Sequence, residues 1–311
     1  MAYMDALRQY ISSDAYDRLL KANLSYVDII RNGEIYLSQV TELTLNDSKQ
    51  LISEALKLCF KTTFQPTINV PEWRRLTTCC DSIDRITRGG IPVNRLVEVA
   101  GASGVGKTQF CLQLALTVQL PVTAGGLSKG AVYICTEDIF PSKRFLQLSN
   151  AFGSKYPHFD VTFMDNVFLE HISDYEQLRR CCTVRLPKLL QQKKIGLIVI
   201  DSIAGIFRSE NVNVNYATRS QQFYTITSTL VKLSMDYGIA IVNTNQVIDN
   251  TETGKMEPCL GLAWSNLVTC RFWLCRFSGN IRSFEVVFAP DLPNSDCKFA
   301  ITEAGLIGAN V

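Results

Sequence analysis

The string Gly101-Ala102-Ser103-Gly104-Val105-Gly106-Lys107-Thr108 constrains this chain more than any other feature. It fits G-x-x-x-x-G-K-[ST]. Glycines in that pattern let the backbone turn tightly, so that several N–H groups converge on one phosphate chain. The lysine reaches the β- and γ-phosphates, the threonine hydroxyl ligates Mg²⁺, and the next helix sets its positive end against the anion. The flanks agree with this reading. Leu96 to Ala100 reads as a buried strand, and Gln109 to Leu120 as a helix with Phe110, Leu112, Leu114, Leu116 and Val118 apolar. Strand, loop, helix is the arrangement the motif requires. The competing reading is a glycine-rich core turn with no ligand. The candidate nucleotide-binding residues are Gly101, Ala102, Ser103, Gly104, Val105, Gly106, Lys107, Thr108 and Gln109, with ATP and Mg²⁺ as the implied cofactors.

Composition narrows the setting. With 311 residues, 47% of them hydrophobic and 19% charged, the chain can bury a full core. A net charge of +2 gives no global drive toward nucleic acid, so any such contact is local or belongs to a partner. The 11 cysteines form no C-x-x-C, and His158 and His171 stand far from most of them, which argues against zinc. Cysteines in apolar runs, such as Cys111, Cys135 and Cys270, read as small core residues in a reducing compartment. Met1 to Tyr10 carries Asp5 and Arg8 and does not read as a secretory signal. The most apolar run, Ile195 to Phe207, is too short to span a bilayer and is broken by Asp201.

Organisation follows from periodicity. Residues 1–59 read as a small helical domain, whose clearest helix runs from Asn46 to Phe60 with Leu51, Ile52, Ala55, Leu56 and Cys59 on one stripe. Thr44 to Asp47 supplies its capping residues. Residues 60–72, with Pro66 and Pro71, read as a linker. Over 73–311, strand candidates at 95–100, 131–135, 197–201, 239–244, 267–275, 283–288 and 298–302 alternate at first with helices near 107–119, 142–151, 174–192 and 218–236. That alternation predicts an α/β core: a mostly parallel twisted sheet flanked by helices, ending in antiparallel strands.

Three strand ends complete a candidate ATPase site. Leu197 to Ile200 is a buried run ending in Asp201, the type of carboxylate that holds a metal-bound water beside a phosphate loop. Ala131 to Cys135 ends in Thr136-Glu137-Asp138, where a carboxylate can orient the attacking water. Ile239 to Val242 leads into Asn243-Thr244-Asn245-Gln246, where an amide can sense the γ-phosphate or simply make a turn.

In this order the parts resemble the RecA-type recombinase core, in its eukaryotic branch and among its paralogues. The matching strings are Gly101–Gln109, Tyr133–Arg144, Val199–Phe207, Asn245–Val247 and Asp291–Gly308, with Gly130–Pro141, Gly125–Leu127, Leu260–Asn266 and Ala289–Pro293 more specific to the paralogues. The resemblance covers about residues 60–308. It implies a RecA-type P-loop ATPase with a small all-α N-terminal domain. It implies that Thr108 and Asp201 form the Mg²⁺ site, that Glu137 and Gln246 are catalytic, and that Arg144 packs on adenine. Arg208 to Ser220 corresponds to a first DNA loop and Val247 to Leu260 to a second, with Arg208, Arg219 and Lys255 as candidate contacts. Subunit docking falls to Phe60 and Thr63, or in a competing register to Phe64. Phe60 capping the preceding helix is the plainer reading.

Departures from the family pattern matter as much. Thr63 stands where the docking motif usually has alanine, and an unsatisfied polar group in an apolar pocket costs on the order of 1–3 kcal/mol. The hairpin Leu43-Thr44-Leu45-Asn46 lacks its usual glycine. The second loop has no aromatic between Asn250 and Glu257, so base stacking is missing there. The first loop, rich in Asn, either touches phosphates or is a plain surface loop. Phe288 and Ala289 stand before Pro290 where recombinases have a polar pair that reaches a neighbour's nucleotide. The expectation is an ATP-binding paralogue in homologous-recombination repair of DNA breaks, a slow DNA-dependent ATPase. It would act in the nucleus, with the cytoplasm as the alternative. Its hetero-partner would be the C-type recombinase paralogue, and the complex would assist recombinase filaments on single-stranded or branched DNA. The competitors are an autonomous strand-exchange recombinase, a P-loop kinase or transport ATPase, and a paralogue that binds ATP without hydrolysing it.

Overall fold

The computed structural model describes residues 7–8, 11–59, 73–159, 161–208, 215–249, 254 and 256–309. Contacts divide the chain into two compact units, Met1–Glu72 and Trp73–Val311.

Among the described residues of the first unit, helices α1 (Ser13–Lys21), α2 (Tyr26–Arg31), α3 (Glu34–Thr41) and α4 (Leu45–Cys59) surround a core that includes Leu19, Ile29, Leu37, Leu51 and Ala55. Local hydrogen bonding sets their starts. Ser25 and Asp28 form a capping box for α2. Thr44 and Asp47 act at the head of α4, where the Asp47 N–H donates to Thr44 Oγ1 at 3.1 Å. The turn from α3 into α4 places Glu42 in the left-handed region, at φ 56°. That conformation favours glycine, and here a carboxylate-bearing residue adopts it.

The second unit is built on a nine-stranded sheet. Its strands are β3 (Leu96–Ala100), β4 (Gly130–Cys135), β5 (Val167–His171), β6 (Ile195–Asp201), β7 (Ala240–Asn245), β10 (Cys270–Ser278), β11 (Ile281–Phe288), β12 (Ser295–Thr302) and β13 (Gly305–Gly308). The short pairs β1 (Arg75–Leu76) with β2 (Ile91–Pro92) and β8 (Val247–Asp249) with β9 (Met256–Pro258) are separate antiparallel ladders. The sheet order is β13-β12-β11-β10-β3-β7-β6-β4-β5. From β10 through β5 neighbours run parallel, and from β10 through β13 antiparallel.

Side-chain patterns explain this division. β3, β4 and the first six residues of β6 are buried throughout, as strands covered on both faces must be. β11 largely alternates between buried and more open positions, as a sheet with one covered face does. One face packs on α5 (Asp81–Ile86), α6 (Lys107–Thr117) and α7 (Ser142–Lys155) through Ile83, Phe110, Leu114 and Phe145. The other packs on α8 (Tyr175–Arg180), α9 (Leu186–Gln192), α10 (Ile203–Arg208), α11 (Tyr216–Tyr237) and α12 (Gly261–Ser265) through Leu178, Leu190, Phe207, Phe223 and Trp264.

Some elements differ from the sequence pattern. The single helix expected over 174–192 is interrupted by a π-turn at Cys181–Arg185, and the Leu186 N–H donates to the Cys181 carbonyl. Pro187 is the reason: it has no N–H to return to the preceding turn. The edge strands β5 and β13 and the ladder of β8 with β9 were not anticipated. Edge strands lack a continuous apolar run, and Leu169 in β5 is exposed.

Candidate functional site

All parallel strands end on one side of the sheet, so the loops after Ala100, Cys135, Asp201 and Asn245 converge there. The residues that the sequence singles out at those ends line one cavity of about 470 Å³. Ser103, Gly104, Gly106, Lys107, Thr108, Gln109, Glu137, Asp201 and Gln246 all reach it.

The glycine loop leaves β3 and enters α6 at Lys107. Gly106 sits at φ 109°, a conformation strained for any residue with a side chain, and a Cβ there would press on Ile301 Cδ1 at 2.5 Å. The Lys107 ammonium folds back onto its own loop and donates to the carbonyls of Gly101 at 2.7 Å and Ala102 at 2.9 Å. Burial holds it below the usual lysine range, with Asp201 partly opposing that shift. An anion entering the loop competes with two carbonyls for a positive charge that is already short of water.

Asp201 is the hub of the cavity floor. It accepts hydrogen bonds from Thr108 Oγ1 at 2.8 Å, Tyr133 Oη at 2.6 Å and Thr244 Oγ1 at 2.5 Å. Burial, and then the negative charge of Asp201, push the Tyr133 phenol well above its ordinary range, so it stays a donor. The Thr108 hydroxyl and Asp201 carboxylate together make an all-oxygen donor set, which suits a hard cation such as Mg²⁺. Among the described residues no group of three or more His, Cys, Asp or Glu is arranged to hold a metal alone. A cation here would therefore depend on oxygens that its ligand brings.

Glu137 stands opposite the loop. Its carboxylate accepts from Ser202 Oγ at 2.7 Å and from Gln246 Nε2 at 2.8 Å. Its stem lies against α10 at Gly205, where a Cβ would meet Glu137 Cγ at 2.4 Å. The Thr136 hydroxyl donates to the Ser202 carbonyl at 2.6 Å and accepts from the Ser202 N–H at 2.9 Å. The acid-bearing ends of β4 and β6 are thereby tied together. Arg144, on α7, is held in place by Gln109 Oε1 at 2.8 Å and by the carbonyls of Thr302 at 2.6 Å and Glu303 at 2.9 Å. Sequence reasoning missed Tyr133, Thr244, Ser202 and Gly205. The strand parity of β4 carried a signal for Tyr133, which shares the α6-facing side with Ala131 and Cys135.

Of the expected DNA-contact residues, Arg219 lies outside this cavity. Arg219, near the start of α11, donates to the Phe207 carbonyl at 3.2 Å and lies 5.6 Å over the Phe223 ring. It braces the base of the first loop. The side chain of Arg208, residues 209–214, Lys255, Phe60, Thr63 and Phe64 lie outside the described residues. The second loop is carried on the ladder of β8 with β9. In the cap segment after β11, Asp291 pairs with Arg75 of its own chain.

The Rad51 family model matches residues 71–309. The chain is 35% identical to "DNA repair protein XRCC3 homolog" of Arabidopsis thaliana, over 76% of this chain and 93% of that protein. It is 36% identical to "DNA repair protein XRCC3" of Bos taurus, over 76% and 75% of the two chains. It is 30% identical to "DNA repair protein rhp57" of Schizosaccharomyces pombe, over 91% and 92%.

Proposed function

The chain belongs to the Rad51 family, and from that premise we propose that it is an ATP-binding recombinase paralogue in homologous-recombination repair of DNA double-strand breaks. Its relatives carry DNA-repair names, and its site has the parts of a RecA-type ATPase. The observation that carries the reading is the single cavity in which Lys107, Thr108, Asp201, Glu137 and Gln246 meet. Backbone N–H groups of the loop and the Lys107 ammonium bind the phosphates. Thr108 and Asp201 hold Mg²⁺, which neutralises phosphate charge when bound. Glu137, released from Ser202 or Gln246, orients a water and takes its proton at a carboxylate oxygen. Gln246 then has its amide free to sense the nucleotide and sits just ahead of β8, on the stem of the second loop. Turnover is slow, because Glu137 starts with its oxygens engaged.

Three features support a partner subunit rather than a self-sufficient strand-exchange enzyme. Glu42 puts a carboxylate at the turn where a glycine would leave N–H groups free for a phosphate. Asp291 is committed to Arg75 within the chain, so it is not presented to a neighbour's nucleotide. The second loop lacks an aromatic for base stacking. The reading is therefore a nuclear hetero-complex with the C-type recombinase paralogue, which assists recombinase filaments on single-stranded or branched DNA. DNA binding by that complex weakens with salt.

Mass measurement of the purified chain, alone and mixed with that partner, tests this directly. A defined hetero-complex that responds to Mg·ATP is expected. Long homopolymers on DNA from this chain alone would overturn it. Glu137→Gln separates an ATPase from a subunit that only binds. The variant should bind Mg·ATP within about threefold of the parent and lose about a hundredfold or more in turnover, the range of a general base. Unchanged turnover in a steady-state phosphate-release assay would remove Glu137 from the chemistry.

A further inference from the structure

β10 runs parallel to β3, pairing Trp273 with Ala100, and then continues past the glycine loop to Ser278. It returns as β11. In that hairpin Arg276 faces Arg282 directly across the ladder. Two like charges opposite one another destabilise a β-pair. Among the described residues neither guanidinium lies within ion-pair distance of a carboxylate, although Arg282 is only 8% exposed.

The surroundings say what the pair faces. Arg282 and Asn280 line the same cavity as Lys107 and Thr108. Arg276 comes to the tip of the glycine loop: a Cβ built on Gly104 would sit 3.6 Å from Arg276 Nη2. Arg282 spends Nη1 on the hairpin's own carbonyls, Gly279 at 2.8 Å and Ile281 at 3.1 Å, which leaves Nε buried without a hydrogen-bond partner. Burial, and then the charge of Arg276, push the Arg282 guanidinium below its ordinary range. A buried donor with no acceptor, beside a second cation, in a cavity floored by a phosphate loop, is short of an anion.

We propose that Arg276 and Arg282 form a cross-strand clamp on the phosphate chain of the bound nucleoside triphosphate, supplied by the same chain that carries the glycine loop. The assignment rests on the nucleotide reading of the cavity. Arg276 and Arg282 share the sheet face of Leu274 and Phe284, the face on which α6 packs through Phe110, so the phosphates meet Lys107 from the loop and the arginines from the hairpin.

The test uses the full chain with Arg276→Glu, an exposed position, and Arg282→Lys. Displacement of a fluorescent ATP analogue by Mg·ATP and by inorganic triphosphate gives two affinities, and thermal unfolding without nucleotide gives the stability. The clamp predicts that Arg276→Glu weakens both ligands by about thirtyfold or more and Arg282→Lys by about tenfold, as expected for lost charge-assisted hydrogen bonds. It also predicts an unliganded melting temperature for Arg276→Glu that is unchanged or raised, because the like-charge pair is gone. Weaker ATP binding with triphosphate unaffected would place the arginines on the base or sugar and overturn the clamp. A lowered unliganded melting temperature with both affinities intact would make the pair structural and overturn it too. Lys107→Ala serves as the control. If it abolishes binding while the arginine variants bind normally, the clamp fails and the nucleotide site stands. If Lys107→Ala binds normally, the nucleotide site itself is wrong.

Discussion

Lys107→Ala is expected to weaken Mg·ATP binding by about a hundredfold, read by titration calorimetry with a slowly hydrolysed analogue. A lysine ammonium beside a phosphate oxygen in a site of effective dielectric ~20 gains about 4 kcal/mol. Part of this is offset, because binding must first break the bonds from Lys107 to the carbonyls of Gly101 and Ala102. A net loss of roughly 3 kcal/mol corresponds to the stated fold-change. The same two bonds set the side effect. Without nucleotide, the variant should lose only about 1 kcal/mol of stability, the usual net worth of such contacts. A change in affinity of less than threefold would show that the glycine loop is a core turn without a ligand.

The largest effect on stability is expected at Glu98, a residue outside the cavity. Its carboxylate is fully buried in β3 and accepts from Asn245 Nδ2 at 2.7 Å, from Trp264 Nε1 at 2.8 Å and from Arg271 Nε. Arg271 is itself buried, with its guanidinium 5.2 Å over the Phe288 ring. Glu98→Ala leaves that cation with no counter-charge in the core, and breaking a buried pair from one side costs about 3–5 kcal/mol. The urea midpoint should fall accordingly. The double replacement Glu98→Leu with Arg271→Met should recover most of the loss, since it leaves no unpaired charge behind. If the double variant is no more stable than Glu98→Ala, the ion pair is not the cause. The cluster also bears on the site. Asn245, which binds Glu98, also donates to the Cys259 carbonyl at 2.8 Å and immediately precedes Gln246. Loosening it frees both the end of β7 and the stem of the second loop.

The parts of the site that could be read from the sequence are those whose chemistry is local. Gly101 to Thr108 announces itself because the loop's conformation and its ligand contacts come from consecutive residues. Asp201 and Glu137 were legible because each ends an apolar run, and a buried parallel strand must release its polar residue at its tip. Tyr133 and Thr244 were not legible. They sit inside runs that read as core, and only the order of β4, β6 and β7 in the sheet turns their hydroxyls onto Asp201. Arg276 and Arg282 were equally silent. In the sequence they are two charges in an ordinary hairpin, and their register across the ladder with the overshoot of β10 brings Arg276 beside Gly104 and Arg282 into the cavity lining. The π-turn before Pro187 lay between these cases, since the proline was visible and its effect on a helix is known, but the pattern of apolar residues ran straight through it.

By itself, then, the sequence determined a glycine loop of the phosphate-binding pattern on an α/β core, the two acids that accompany it, and the family to which the chain belongs. Those features depend on short-range spacing, and a chain cannot change them without changing its residues. Tertiary structure alone decided where the charges meet: Asp201 under three hydroxyls, Glu137 held between Ser202 and Gln246, Asp291 turned to Arg75, and Arg276 set opposite Arg282. Each of those contacts joins residues on different strands or loops. Hydrogen bonds and ion pairs act over a few ångströms of space whatever the separation along the chain, so only the strand order and register could specify them.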